Sequence, residues 1–212
     1  MLQFRDYYNS FALSLGRNIR SGTLEAQFDV RLPNYWAYDR FQFELGGGTL
    51  ASASMYAEPY RYNLHAAIHV GFRRKSSVGT SGVQSIAQYF IDAGEPDGPQ
   101  YEDCTSGAGA EFDFATKWIR VKITSEVGRH VFNVAFYDMG TAHPTFATAE
   151  GPLLHSYENA SFRYSDEPIS HLWINGGNTP SYQPWADDAP GALLVDNIRI
   201  GHDKNGILLI LH

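Results

Sequence analysis

Apolar and polar residues alternate one by one over several stretches of this chain. That period of two marks strands with one buried face. From Thr23 to Leu32, the residues Leu24, Ala26, Phe28, Val30 and Leu32 alternate with Thr23, Glu25, Gln27, Asp29 and Arg31. Arg40 to Leu45 repeats the pattern, with Phe41, Phe43 and Leu45 against Arg40, Gln42 and Glu44, before Gly46-Gly47-Gly48 breaks the strand. From Leu64 to Arg73, one face carries Leu64, Ala66, Ile68, Val70 and Phe72, and the other His65, Ala67, His69, Gly71 and Arg73. Further strands are predicted at 84–92, 117–124, 130–138, 169–175, 192–200 and 207–211. Ile119, Val121 and Ile123 supply an apolar face in one of them, and Phe132, Val134 and Phe136 in another. The first residues, Met1-Leu2-Gln3-Phe4, enter a strand almost at once. No segment carries a helical stripe, and no repeat of fixed period stands out. Residues 93–109 and 139–160 read as long irregular connections rich in Gly and Pro.

Many strands with one polar face each predict antiparallel sheets packed face to face. The expected fold is all-β, an antiparallel two-sheet β-sandwich, with a closed barrel as the alternative that strand count leaves open. The 212 residues fit one such domain, and no low-complexity linker divides them.

Composition narrows the partners. The formal charge is −7 with only 16 Lys and Arg, and the one basic cluster is Arg73-Arg74-Lys75. This is too small an electrostatic footprint for a nucleic-acid binder. An acidic balance suits neutral sugars or metal ions. The single cysteine, Cys104, allows no intrachain disulfide. No stretch has the apolar length of a membrane span, and no signal peptide is visible. The expected setting is secreted or extracytoplasmic, as a module excised from a longer protein.

Three segments carry a family resemblance. Ser21-Gly22-Thr23-Leu24-Glu25-Ala26-Gln27-Phe28-Asp29-Val30-Arg31 resembles an early strand of bacterial concanavalin-A-like and laminin-G-like jelly-roll domains. Lys117-Trp118-Ile119-Arg120-Val121-Lys122-Ile123 is similar to their W-x-R-V-x-I strand. Leu194-Val195-Asp196-Asn197-Ile198-Arg199-Ile200 is similar to their closing V-D-N-I-R-I strand. The three occur in the family's order across residues 21 to 200. The superfamily includes lectins, glycan-binding modules, glycoside hydrolases and polysaccharide lyases, so fold leaves function open. Retaining hydrolysis needs two closely placed carboxylates, and the E-x-D-x-x-E strand of the glycosidase branch is absent.

Candidate chemistry concentrates on the polar faces of the 40–45 and 64–73 strands. His65 and His69 share a face but stand about 13 Å apart, too far to hold one ion through this strand alone. Ala67 and Gly71 leave a trough beside them that suits an extended ligand such as a polysaccharide. Arg40, Glu44 and Arg73 complete the candidate glycan-binding set, with Trp36 and Trp185 near turn residues as stacking platforms for sugar rings. The same face resembles the alginate-lyase type of jelly roll. Ala67-Ile68-His69 stands where that family reads Q-I-H, and Tyr89-Phe90-Ile91-Asp92-Ala93-Gly94 is similar to its Y-F-K-A-G. The resemblance implies His69 as the base, Tyr89 as the acid and Gln42 as the group neutralising a uronate carboxyl in β-elimination.

Asp196 is in phase with the apolar Leu194, Ile198 and Ile200, so simple alternation points it inward. A buried, unpaired carboxylate is costly. Either a bulge turns it out, or it meets an arginine, backbone donors or a metal. In related glycan-binding sandwiches such an aspartate helps hold a structural calcium ion, which makes Ca2+ the implied cofactor; a plain hydrogen-bonded aspartate is the alternative. Three functions therefore stand side by side: a non-catalytic glycan-binding or adhesion module, a polysaccharide lyase, and a structural sandwich without a small ligand.

Overall fold

A computed structural model describes residues 2–4, 8–31, 40–47, 66–74, 87–92, 101–103, 117–162, 168–177, 193–204 and 206–211. Thirteen strands lie among them: β1 Leu2–Phe4, β2 Tyr8–Ile19, β3 Thr23–Arg31, β4 Arg40–Gly46, β5 Ala66–Arg74, β6 Ala87–Asp92, β7 Tyr101–Asp103, β8 Ile119–Glu126, β9 Val131–Asp138, β10 Leu153–Ser161, β11 Ile169–Gly177, β12 Leu193–His202 and β13 Gly206–Leu211. They form two antiparallel sheets packed as a sandwich. The seven-stranded sheet has the order β1-β12-β3-β8-β9-β10, with β13 also paired to β12. The six-stranded sheet has the order β2-β11-β4-β5-β6-β7.

The core is built from the apolar faces that alternation predicts. Leu24, Phe28 and Val30 of β3, Ile119 and Val121 of β8 and Phe136 of β9 have no exposed surface. From the other sheet, Phe43 and Leu45 of β4, Ile68 and Val70 of β5 and Leu172 and Ile174 of β11 meet them. Phe28 and Phe43 stack across the interface with ring centroids 4.3 Å apart. Large flat rings of this kind bury much area and fix the sheet spacing.

Two expectations need correction. Residues 139–160 are not wholly irregular, because Leu153–Ser161 is the edge strand β10. Its exposed, bulged course lacks the alternation that marks the other strands: register shifts fall between Leu153 and His155 and between Tyr157 and Ala160, and Asn159 has φ 59°. Likewise β7 lies inside the 93–109 stretch, three residues long at the edge of the six-stranded sheet. The strand β2 was not anticipated, because polar Ser14, Gly16, Arg17 and Asn18 interrupt its apolar pattern.

Candidate functional site

Each sheet has an outer face, away from the shared core, and the two are used differently. On the seven-stranded sheet, Asp29 of β3 and Arg120 of β8 are register partners. Both belong to polar faces by alternation, yet they are 0% and 2% exposed. Arg120 donates from Nε to Asp29 Oδ1 at 2.8 Å and from Nη2 to Asp29 Oδ2 at 2.9 Å. This is the bidentate fork that a planar guanidinium forms with a carboxylate. Arg120 also donates to the carbonyls of Thr148 at 2.6 Å and Thr145 at 2.7 Å. The segment 139–152 is thereby strapped over the sheet.

Asn197 completes this network. Its Nδ2 donates to Asp29 Oδ2 at 2.7 Å and to the Pro144 carbonyl at 2.8 Å. Its φ of 51° lies in the left-handed region, at a register shift between Asp196 and Arg199. This β-bulge resolves the phase conflict at Asp196. Before it, Val195 pairs with Val30 on the core side and Asp196 with Asp29 on the outer side; after it, Ile200 returns to the core opposite Ala26. Asp196 accepts the Asn197 backbone N–H at Oδ1 (2.8 Å), and His143 Nε2 lies 2.8 Å from Oδ2. The His143 ring meets Trp118 edge-on with centroids 4.8 Å apart. Both expected outcomes thus occur together, a bulge and polar partners. Among the described residues, no group of three His, Cys, Asp or Glu converges to hold a metal.

Replacing Asn197 should separate two contributions. Asn197→Gly keeps the left-handed backbone but loses both side-chain hydrogen bonds, whereas Asn197→Ala also strains φ. We expect Asn197→Ala to lower stability by about 2–4 kcal/mol and Asn197→Gly by roughly 1 kcal/mol less. Urea denaturation of both variants measures the difference; equal losses would mean that the bulge conformation carries no strain.

The outer face of the six-stranded sheet has another character. Register aligns Ala12, Trp173, Glu44 and His69 in one row across β2, β11, β4 and β5. The next row holds Ser10, Asn175, Gln42, Gly71 and Phe90, and the one after it Tyr8, Gly177, Arg40, Arg73 and Gln88. On the other side of the first row, His171 lies between Ser14 and Gly46. By register, these three adjoining rows of positions alternate with those of Phe43, Val70 and Leu172.

Glu44 and His69 sit side by side, with Nε2 and Oε1 3.7 Å apart. Neither they nor Trp173 expose any surface. The Trp173 Nε1–H has no acceptor among the described residues. The His171 ring lies 5.4 Å from Trp173 and its Nδ1 2.8 Å from Ser170 Oγ; burial holds the His171 pKa below the ordinary imidazole value.

The expected site residues are placed unevenly. Gln42, Arg40, Glu44, His69 and Arg73 share one face, as alternation predicts. Glu44 and His69, expected to meet a ligand directly, have no exposed surface. Tyr89 pairs with Phe72, in the alternate row from His69, so the register does not bring the two together. His65, Trp36 and Trp185 lie outside the described residues. Sequence reasoning missed Trp173, His171 and Asn175, although the alternation His171-Leu172-Trp173-Ile174-Asn175 carries the signal. It missed the Asp29–Arg120–Asn197 network because each member, taken alone, reads as a solvated polar-face residue.

No family model matches the chain, and no curated protein matches it. Solved structures that resemble it include a Scytalido-glutamic peptidase bound to a peptide-based transition-state analogue, with 8% identity, 94% of this chain and 82% of the other covered, and a TM-score of 0.40. Others are a GH131 β-glucanase catalytic domain from Podospora anserina, with 12% identity, 95% and 67% covered and a TM-score of 0.43, and a functionally unknown protein from Saccharomyces cerevisiae, with 9% identity, 95% of each covered and a TM-score of 0.39. At such values none of them transfers an activity. Among the described residues no helix is long and apolar enough to cross a membrane.

Proposed function

We propose that this chain is a non-catalytic glycan-binding module of the concanavalin-A-like type, acting outside the cytoplasm, and that its ligand lies along the outer face of the six-stranded sheet. The observation that carries the reading is the row structure of that face. Asn175 and Gln42 occupy one row, and Arg40, Arg73 and Gln88 the next. Planar amide and guanidinium groups on adjacent strands match the spaced hydroxyls of an extended sugar chain. The contrast with the other sheet supports the same choice, because there the comparable polar groups are consumed by the strap at 139–152. Glu44, His69 and Trp173 would form the buried floor beneath the ligand.

Glycan arrays followed by calorimetry test this reading. Gln42→Ala and Arg73→Ala are each expected to weaken binding roughly tenfold, about 1.4 kcal/mol, with unchanged melting temperature. Absence of any glycan ligand would favour the structural sandwich. Release of unsaturated ends from a uronate polymer, detected by ultraviolet absorbance, would favour the lyase.

A further inference from the structure

The large apolar side chains exposed among the described residues are Leu153, Ile207 and Ile210, all on strands that end the seven-stranded sheet. Leu153 belongs to β10, whose edge is blunted by two register shifts and the left-handed Asn159. Such bulges deter the addition of another strand. The other edge is different. β13 reads Gly206-Ile207-Leu208-Leu209-Ile210-Leu211, with no charge and no proline, and among the described residues it pairs only with β12. It thus lacks two of the devices by which proteins protect a sheet edge, charge and proline, and carries one register shift where β10 carries two.

Two further features concern what this edge fits. The register of β12 with β13 shifts between Ile200 and Gly201, so that Leu208 is the extra residue. Ile207 then pairs with Gly201 and Ile210 with Arg199, both outer-face positions, while Leu208, Leu209 and Leu211 pack against the core. Along 207–210 the side chains therefore face out, in, in, out, and the residues read Ile, Leu, Leu, Ile. Both sequences are the same in either direction. An antiparallel strand related by a two-fold axis between Leu208 and Leu209 would place Ile207 beside Ile210 of the second copy, and Leu208 beside Leu209. Outer positions meet outer positions and inner meet inner, with hydrophobes matched in size.

We propose that β13 is a self-association edge, through which two copies of this chain pair antiparallel about that axis and join their seven-stranded sheets into one continuous sheet. The contact is isologous and closes on itself, so it yields dimers rather than fibres. A single six-residue strand pair buries less than a standard interface, so the dimer is expected to be concentration-dependent.

Sedimentation velocity and light scattering across a concentration series test the proposal. The mass should rise from 23.7 kDa toward twice that value and go no further. Ile207→Lys and Ile210→Lys should each raise the dissociation constant roughly tenfold or more, because two-fold symmetry introduces every charge twice. In a Cys104→Ser background, the Ile207→Cys/Ile210→Cys double variant should form a covalent dimer on oxidation. The Ile207→Cys single variant should not, since the two copies of position 207 would stand about 10 Å apart along the strands, beyond disulfide reach. This cross-link keeps the test decisive should a lysine variant fail to fold. A chain monomeric at every concentration, a dimer indifferent to both lysine substitutions, cross-linking of the single variant, or polymers that grow with concentration would each overturn the assignment.

Discussion

Arg120→Ala is expected to destabilise the protein by about 3–5 kcal/mol, the usual cost of removing one member of a buried ion pair. Two effects combine. Asp29 keeps its carboxylate in a fully buried position with only Asn197 Nδ2 of its present side-chain donors left, and the carbonyls of Thr145 and Thr148 each lose a charge-assisted hydrogen bond. For a domain of this size the melting temperature should fall by roughly 6–20 °C. Arg120→Lys should recover little, because an ammonium cannot reproduce the fork on Asp29 while reaching two carbonyls. A double replacement, Asp29→Leu with Arg120→Met, should lie well above either single variant, since it removes the buried charges together. Denaturant titration reads the energies, and amide exchange across 139–152 reads the strap. A loss below about 1 kcal/mol for Arg120→Ala would mean that the strap is held by other contacts.

The strands of the core were legible because one physical fact, burial of every second residue, writes itself into β3, β4, β5, β8 and β9. The edges were harder. Among the described residues β10 has one neighbouring strand and carries bulges, so its residues meet no regular alternation of buried and wet surroundings. The candidate site divides in the same way. That Gln42, Glu44, His69 and Arg73 would share a face follows from period two within each strand. Which residues stand opposite one another does not, because that depends on register between strands distant in sequence. Hence Glu44 opposite His69 was not foreseen, and Tyr89 was grouped with His69 although its register partner is Phe72. Asp196 is the instructive middle case. The conflict between its charge and its phase was visible in the sequence and pointed to a bulge or polar partners; that the resolution came through the left-handed Asn197 and through His143 was not.

Glu44 and His69 offer the sharpest separation of architecture from chemistry. Both are wholly buried on the face assigned here to the ligand, with Nε2 and Oε1 3.7 Å apart. His69→Leu is expected to cost about 3–5 kcal/mol, because it places an apolar side chain against the buried Glu44 carboxyl group and removes the polar contacts of the imidazole. Glu44→Leu should cost less, since a neutral imidazole is easier to bury than a carboxylate. The double variant, Glu44→Leu with His69→Leu, should lose less than the sum of the two single losses, because an apolar pair carries no desolvation penalty. A double-mutant cycle in denaturant measures this coupling. The same folded double variant then asks the functional question. If the pair forms only a floor beneath the glycan, affinity should stay within a few-fold of native. An imidazole acting as a proton acceptor must approach the reacting atom within hydrogen-bond reach, so a catalytic His69 would have to become exposed on binding, and the double variant would then lose all turnover while keeping its fold. Retained affinity with no turnover in either protein is the outcome expected of a binding module.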